Sequence, residues 1–536
     1  MRFISLLFVL FLASCAVNPA TGGASFNFMS EEAEFDLGHD IVAKELERHG
    51  LYEENSKLVA YHRGLGEKIV AISDRPDKPY DFLLLDADVF NAAAIPGYVM
   101  TYRGILPYMN SEAELAMVMG HEVGHIAARH TARTLSTAAL AQVLIAGATI
   151  YAAANADSTT AQAAYVLGGA AAVIGMQGFS RSYEREADTL GARYLEALGY
   201  PPEHAYNVFK AMDIYRQAED TAAQRLSGRT PEKTAFYNVL RSHPEPTERM
   251  ATVERTLGTP HEPAAYYGAA FSNDTIGRDR YLTLIDGLAY GPTPEEGVMG
   301  RQVYYNQKGK FTLQIPEGYV FRYFATQENK DNKKGFWRGH NTRLDRLLTL
   351  ETHTTNKHRS VEEMLRIKNP RVQNILTEKQ GDMPFAHGHL LEKHNGKTVG
   401  HSVVMLWPLN ADELGKATKF ILATLTAGDD ALKAQNRTKP AENPFAAENF
   451  VLANLQKEAK ELLKTKQPLT ENEAKKLQPL RLKIHTVKAG QTAEKLAEKM
   501  ALGDLRNETF HALNGLPVGY ALKPNQKVKL VIDPNQ

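Results

Sequence analysis

The sequence contains a single cysteine in 536 residues, which excludes an intramolecular disulfide framework and a cysteine-ligated zinc cluster. It also lacks an excess of charge of either sign, because 62 Lys and Arg balance 62 Asp and Glu. No net positive field is present to attract nucleic acid, and no net negative field to attract basic partners. With 43% hydrophobic and 23% charged residues, the chain has neither a disordered nor a collagenous composition. No internal repeat of about 20–50 residues is present. A length of this order implies about two to four domains.

The one cysteine, Cys15, has an informative neighbourhood. Met1-Arg2 gives a short positive start, and Phe3 to Leu12 is an apolar run of ten residues interrupted only by Ser5. That run is too short for a hydrocarbon core of about 30 Å and has the form of a signal-peptide core. Leu12-Ala13-Ser14-Cys15 resembles the bacterial lipobox, in which the cysteine is lipidated and becomes the first residue of the mature chain. The alternative is an ordinary secretory signal with an incidental cysteine. Ala16 stands where an aspartate would resemble the inner-membrane retention signal. The resemblance therefore implies the periplasmic face of the outer membrane of a Gram-negative bacterium.

Residues 1–15 are thus expected to be a lipoprotein signal peptide, and the small, polar residues 16–29 a tether. Helical signals begin at Ser30, an N-cap with Glu31 and Glu32 behind it. Asp81–Asp86 and Tyr98–Tyr102 have the character of short strands around a turn at Ile95-Pro96-Gly97. Ser111-Glu-Ala-Glu114 has the capping-box form and opens a helix expected to reach about Thr134. Residues 138–179 are rich in Ala and Gly, in two apolar stretches flanking Asp157–Gln162. They suit a buried or site-covering helical pair better than a membrane hairpin, since each stretch is short for about 20 residues of span. A further helix is expected from near Ser182 to Leu198, stopped by Gly199 and Pro201-Pro202, and helical patterns continue to about Leu257. Composition changes near residue 260. Strand-like segments follow at 311–316, 348–354 and 401–407, with helical stretches expected near 360–367 and 411–426. Residues 261–428 are therefore expected to form a small α+β domain, 429–483 a linker and a charged helix, and 484–536 a compact module.

His121-Glu122-Val123-Gly124-His125 falls inside the helix opened by Ser111. Histidines at i and i+4 share one helical face and can hold one zinc ion. Glu122 then sits beside the metal, where it can take a proton from the attacking water. Zinc held by two histidines needs a third protein ligand and an open position. Ser182-Tyr-Glu184-Arg-Glu186-Ala-Asp188 offers Glu184 and Asp188 on one face of a second helix. Glu184 can ligate the metal, and Asp188 can hydrogen-bond the outer nitrogen of a ligand imidazole. Taken alone these acids would form a solvated helix face; HExxH upstream reverses that reading. Glu186 faces another side of the helix and is the weaker ligand candidate.

These residues resemble the HtpX-like, BepA-like and CAAX-prenyl-protease-like family of HExxH gluzincins. The likeness runs through Asn18-Pro-Ala-Thr-Gly22, Asn91-Ala-Ala-Ala-Ile-Pro-Gly97, Arg103-Gly104, His121 to His130, Glu184 to Asp188 with Gly191, and Ser242-His243-Pro244 followed by Arg249. It covers about residues 18–257. One departure is that a single glycine, Gly97, follows Pro96 where relatives often have two. The resemblance implies that Asn91 and Ala92 end an edge strand beside the cleft and pair with an extended substrate backbone. It also implies that His243 approaches the zinc, stabilising the oxyanion or occupying the open position at rest, with Arg249 supporting His243 or the oxyanion. His130 matches the family, and a helix-surface role suits it as well as a functional one. The 58 residues between His125 and Glu184, many of them Ala or Gly, could cover the metal as a gate.

The C-terminal residues His485-Thr-Val-Lys-Ala-Gly-Gln-Thr492, Leu496-Ala497, Leu513-Asn-Gly-Leu516 and Leu522 to Leu530 resemble a LysM domain, a βααβ unit that binds peptidoglycan. Gln491 stands where Asp is usual. The expected fold class is α+β and multidomain. A mainly α-helical zincin protease domain with a small sheet spans 30–260. A small α+β domain and a LysM-like module follow. The expected function is a zinc metalloendopeptidase, with one zinc per chain, cleaving unfolded or misassembled envelope proteins. Its partners would be those proteins, the outer membrane through the lipid anchor, and peptidoglycan through the module, with no nucleic acid. The alternatives are a noncatalytic chaperone or peptidoglycan-binding scaffold, which would have no need of Glu122, and a peptidoglycan hydrolase.

Overall fold

The computed structural model describes residues 15–141, 179–227 except 202, 246–257, 276–427 with short gaps, and 444–535 except 504. His243, the Ala- and Gly-rich segment from 142 to 178, and the signal peptide up to residue 14 lie outside the described residues. The chain divides into two compact units, for the most part residues 1–286 and 287–536.

In the first unit, a three-stranded sheet has the spatial order Asp81–Leu85, Tyr98–Tyr102, Ala92–Ile95. The first pair is parallel and the second antiparallel, so Ala92–Ile95 forms an edge of this sheet. Helix Glu31–His49 begins where Ser30 caps it, its hydroxyl accepting from the Ala33 N–H, with Glu31, Glu32 and Glu34 at its positive end. Val42 of this helix packs on Leu83, Leu85, Ile95 and Met100 of the sheet. Helix Glu112–Ala127 is capped by Ser111, whose Oγ accepts from Glu114 N at 3.2 Å, while the Glu114 carboxylate takes the Asn110 N–H at 2.7 Å. Every residue of this helix is buried, so its polar side chains must find partners inside the protein.

Two local expectations are corrected here. The helix opened by Ser111 does not run through to Thr134. It ends at Ala127, Arg129 adopts φ 56°, and helical structure resumes over 130–141. A left-handed non-glycine residue costs about 1 kcal/mol or more. Arg129 is held there by Glu34, 2.8 Å from its Nε, and by the Met29 carbonyl, 2.9 Å from Nη2. Nor are residues 16–29 a loose tether. Cys15–Val17 and Ala24–Phe26 pair as a small hairpin, Asn18 and Asn27 are buried, and Ser136 Oγ donates to Asn27 Oδ1 at 3.2 Å. Side-chain hydrogen bonds, which hydropathy does not register, fix this segment. The helix expected from near Ser182 to Leu198 is present as Arg181–Ala197, with Ser180 as its cap.

The second unit is built on a seven-stranded antiparallel sheet. Its order is Tyr319–Ala325, Gly335–Asn341, Arg346–Arg359, Ala417–Ala427, Lys397–Pro408, Met383–His394, Gln373–Gln380. The helix expected over 411–426 is thus corrected: Ala417–Ala427 is the central strand. Phe420, Ile421, Leu422 and Ala423 are all buried, and a strand covered on both faces loses the alternation that distinguishes it from a helix. Helix Val361–Lys368 covers one face through Met364 and Leu365 against Phe420 and Leu422. Helix Pro444–Lys464 covers the other through Leu455, Ala459 and Leu462 against Leu350, Met405 and Ala423. This helix, expected with the linker, therefore belongs to the sheet domain. Near the C-terminus the order is strand Leu480–Thr486, helix Ala493–Ala497, helix Arg506–Asn514, strand Lys527–Ile532. The two strands pair antiparallel, and Ala289–Tyr290 adds a third at residues 480 and 481. The strand starts four residues before the expected boundary at 484.

Candidate metal centre

Helix Glu112–Ala127 and helix Arg181–Ala197 meet at their glycines. A Cβ on Gly191 would lie 3.0 Å from His121 N, and one on Gly124 would lie 3.1 Å from Leu190 Cβ. Only glycine lets the backbones approach this closely. The approach brings His121 and His125 against Glu184. His121 Nε2 and His125 Nε2 are 3.0 Å apart. Glu184 Oε2 is 3.6 Å from His121 Nε2, and its Oε1 is 3.5 Å from His125 Nε2. One donor atom from each of the three residues lies within 4.8 Å of the others, and all three are buried. The carboxylate oxygens stand too far from both rings for a short hydrogen bond yet face a common point with them. Two imidazoles and a carboxylate so arranged fit a divalent metal of the zinc class.

The outer atoms of these ligands are also held. Asp188 Oδ1 lies 2.9 Å from His121 Nδ1, so Nδ1 donates and Nε2 is left to face the site. Arg249 in turn grips Asp188, with Nη2 2.6 Å from Oδ1 and Nε 3.1 Å from Oδ2. Its guanidinium lies over the Phe209 ring at 4.4 Å. Arg249 was expected to support His243 or an oxyanion; its guanidinium is engaged with Asp188 and lines the same hollow as Glu122, while His243 lies outside the described residues. Burial and the Arg249 charge push the His121 imidazole down, but Asp188 and Glu184 outweigh them and raise it to about 9. Burial pushes the Asp188 carboxyl up, and the Arg249 charge with the His121 hydrogen bond brings it below the ordinary value.

Glu122 is 3% exposed and lines a cavity with His121, Asn91, Ala92, Phe90, Met117 and Phe209. The start of the edge strand, the HExxH base and one metal ligand therefore meet at one hollow. Of the expected site residues, this brings together Asn91, Ala92, His121, Glu122, His125, Glu184, Asp188 and Arg249. The sequence reading missed a second cluster on the far side of His125. His130 Nδ1 is 2.8 Å from His125 Nδ1, and Glu186 Oε2 is 3.2 Å from His130 Nε2 and 3.0 Å from Arg133 Nη1. Burial lowers the His130 imidazole. Burial tends to raise Glu186, but His130 and Arg133 bring it down to about 2. Phe179 stacks on His125 at 4.2 Å.

Two histidines one helical turn apart, an acid from a second helix and a glutamate beside the first histidine define a metallopeptidase site of the zincin class. Residues 59–257 match Peptidase family M48, so this part of the chain is similar to that family of metallopeptidases. It is 28% identical over 246 residues to the beta-barrel assembly-enhancing protease of Escherichia coli (strain K12), covering 45% of this chain and 47% of that one. The protein of the same name from Yersinia pestis is 26% identical over 292 residues, with 52% and 57% covered. The mitochondrial metalloendopeptidase OMA1 of Arabidopsis thaliana is 31% identical over 134 residues, with 25% and 26% covered. The chain thus spans about half the length of the first two relatives.

Proposed function

We propose that the protein is a zinc-dependent endopeptidase that cleaves extended segments of unfolded or misassembled envelope proteins. The observation that carries this reading is the buried triad His121, His125 and Glu184, with Glu122 in a hollow reached from an edge strand. A zinc ion held by the triad would polarise the scissile carbonyl and acidify a water. Glu122 accepts the proton of the attacking water and delivers it to the leaving amine. Asp188 fixes the His121 tautomer, and Arg249 keeps Asp188 charged. A substrate strand adds to Ala92–Ile95 and is read chiefly through its backbone, a mode open only to unfolded segments. The name of the Escherichia coli relative, an assembly-enhancing protease, supports clients of this kind.

The protein is placed at the periplasmic face of the outer membrane by a lipid on Cys15, and residues 484–536 contact peptidoglycan as a LysM-like module. His243 and the residues between His125 and Glu184 keep the role of a gate in this reading. The decisive experiment compares wild type with Glu122→Gln on unfolded casein, with zinc content measured for both. The variant is expected to keep its zinc and to lose activity by about 100-fold or more. Near-normal cleavage with zinc bound would overturn the mechanism.

A further inference from the structure

On an unbroken helix, residues five apart lie about 140° from each other around the axis, so His130 could not reach His125. It does reach it, because the chain turns through a left-handed residue at Arg129 before helical structure resumes at 130. The contact is between like atoms, Nδ1 to Nδ1 at 2.8 Å, which fixes the protons. His125 turns Nε2 towards His121 and Glu184, so its Nδ1 carries the hydrogen and donates. His130 Nδ1 must then accept, and its Nε2 carries the hydrogen that Glu186 Oε2 receives at 3.2 Å. Glu186 is held on both oxygens: Arg133 donates to Oε2 at 3.0 Å, and Asn18 Nδ2 donates to Oε1 at 2.5 Å. His130 is fully buried and Asn18 nearly so. Tyr183 stacks on the His130 ring at 4.5 Å with 7° between the planes.

We propose that His130, Glu186 and Asn18 are positioning residues for the metal site, a directed chain of hydrogen bonds that sets the tautomer and orientation of His125. His125 is thereby served as Asp188 and Arg249 serve His121. The residue that completes the chain comes from the Asn18-Pro19 turn, three positions after Cys15, so the N-terminal segment is part of the metal site. The inference rests on the metal-binding reading given above and extends it to residues that touch neither substrate nor metal.

The test reads metal binding, separately from proteolysis. Zinc affinity is measured by chelator competition, and the visible spectrum of the cobalt(II) form reports ligand geometry. His130→Phe, which keeps a stacking ring but accepts no hydrogen bond, is expected to weaken zinc by about 10–100-fold and to shift the cobalt bands. His130→Asn, whose Oδ1 can accept where Nδ1 did, is expected to recover most of that loss. Asn18→Ala and Glu186→Gln are expected to weaken zinc in the same direction. Wild-type affinity and an unchanged cobalt spectrum in folded His130→Phe would overturn the proposal. If that variant does not fold, Glu186→Gln decides by the same two readouts. His121→Ala is the control: if it too bound zinc normally, the metal site itself would be misassigned, a failure distinct from that of the chain behind His125.

Discussion

Asp188 has two positively polarised neighbours and no exposure, and this makes it more than a hydrogen-bond acceptor for His121. The buried Arg249 guanidinium lies 3.4 Å from His121 Nε2, the atom that would face a metal, and the Asp188 charge offsets it there. Asp188→Asn keeps the volume but removes that charge. It is expected to lower zinc affinity by about 10–100-fold, measured by chelator competition; unchanged affinity would remove Asp188 from the site. A second buried group predicts a pH effect on folding rather than on the metal. His62 is buried, with Nε2 2.8 Å from Thr101 Oγ1, and burial, with a contribution from Arg63, pushes it down to about 4. The unfolded chain takes up that proton near pH 6.5 while the folded chain does not. Stability is therefore unaffected by His62 above about pH 7 and is lost as pH falls from about 6.5 towards 4, by about 3 kcal/mol in all. His62→Gln, which keeps a donor near Nε2 and cannot titrate, should flatten the unfolding midpoint across that window. An equal slope in the variant would assign the acid sensitivity elsewhere.

Among the elements, the pairing of the two ligand-bearing helices depends on which glycine faces which backbone. Gly191 offers a Cβ only 3.0 Å from His121 N and 3.1 Å from Met117 Cε, whereas Gly120 meets nothing nearer than 3.5 Å. Gly191→Ala should push the helices apart and move His121 from Glu184, costing about 1–3 kcal/mol of stability together with zinc affinity. Gly120→Ala should leave both near wild type, since it gains about 1 kcal/mol of helix propensity at ordinary contact distance. Thermal unfolding and zinc titration of the pair check this, and equal losses in the two would refute the close-packing argument. Both helices were legible in the sequence because their signals are local: caps at Ser111 and near Ser182, and acids and histidines spaced by four. The break at Arg129 was not legible, because what holds it, Glu34 and the Met29 carbonyl, comes from about a hundred residues away. The strand Ala417–Ala427 was hidden for a different reason, being buried on both faces. His130 was visible as a residue, but its partner Glu186 looked like a surface acid until the kink turned the two together.

At the scale of the whole molecule, the question is how the protein is held at its place of work. Among the described residues, no helix is long and apolar enough to cross a membrane. The small hairpin beginning at Cys15 carries Val17 and Phe28 near its ends, 68% and 56% exposed, apolar side chains suited to a lipid surface. A single acyl chain gives only marginal and reversible membrane binding, so stable attachment requires more than one chain or a second contact. The prediction is that attachment resides wholly in the modification of Cys15. The chain from Ala16 onward, exported behind a cleavable signal peptide, should appear in the soluble periplasmic fraction, with zinc bound and casein cleaved at the wild-type rate. The full-length protein should incorporate labelled palmitate and require detergent for extraction. The disfavoured membrane hairpin of residues 138–179 is the competing outcome. If the Ala16 form still required detergent, the anchor would lie in that segment, and the lipid reading of Cys15 would fail as the explanation of attachment.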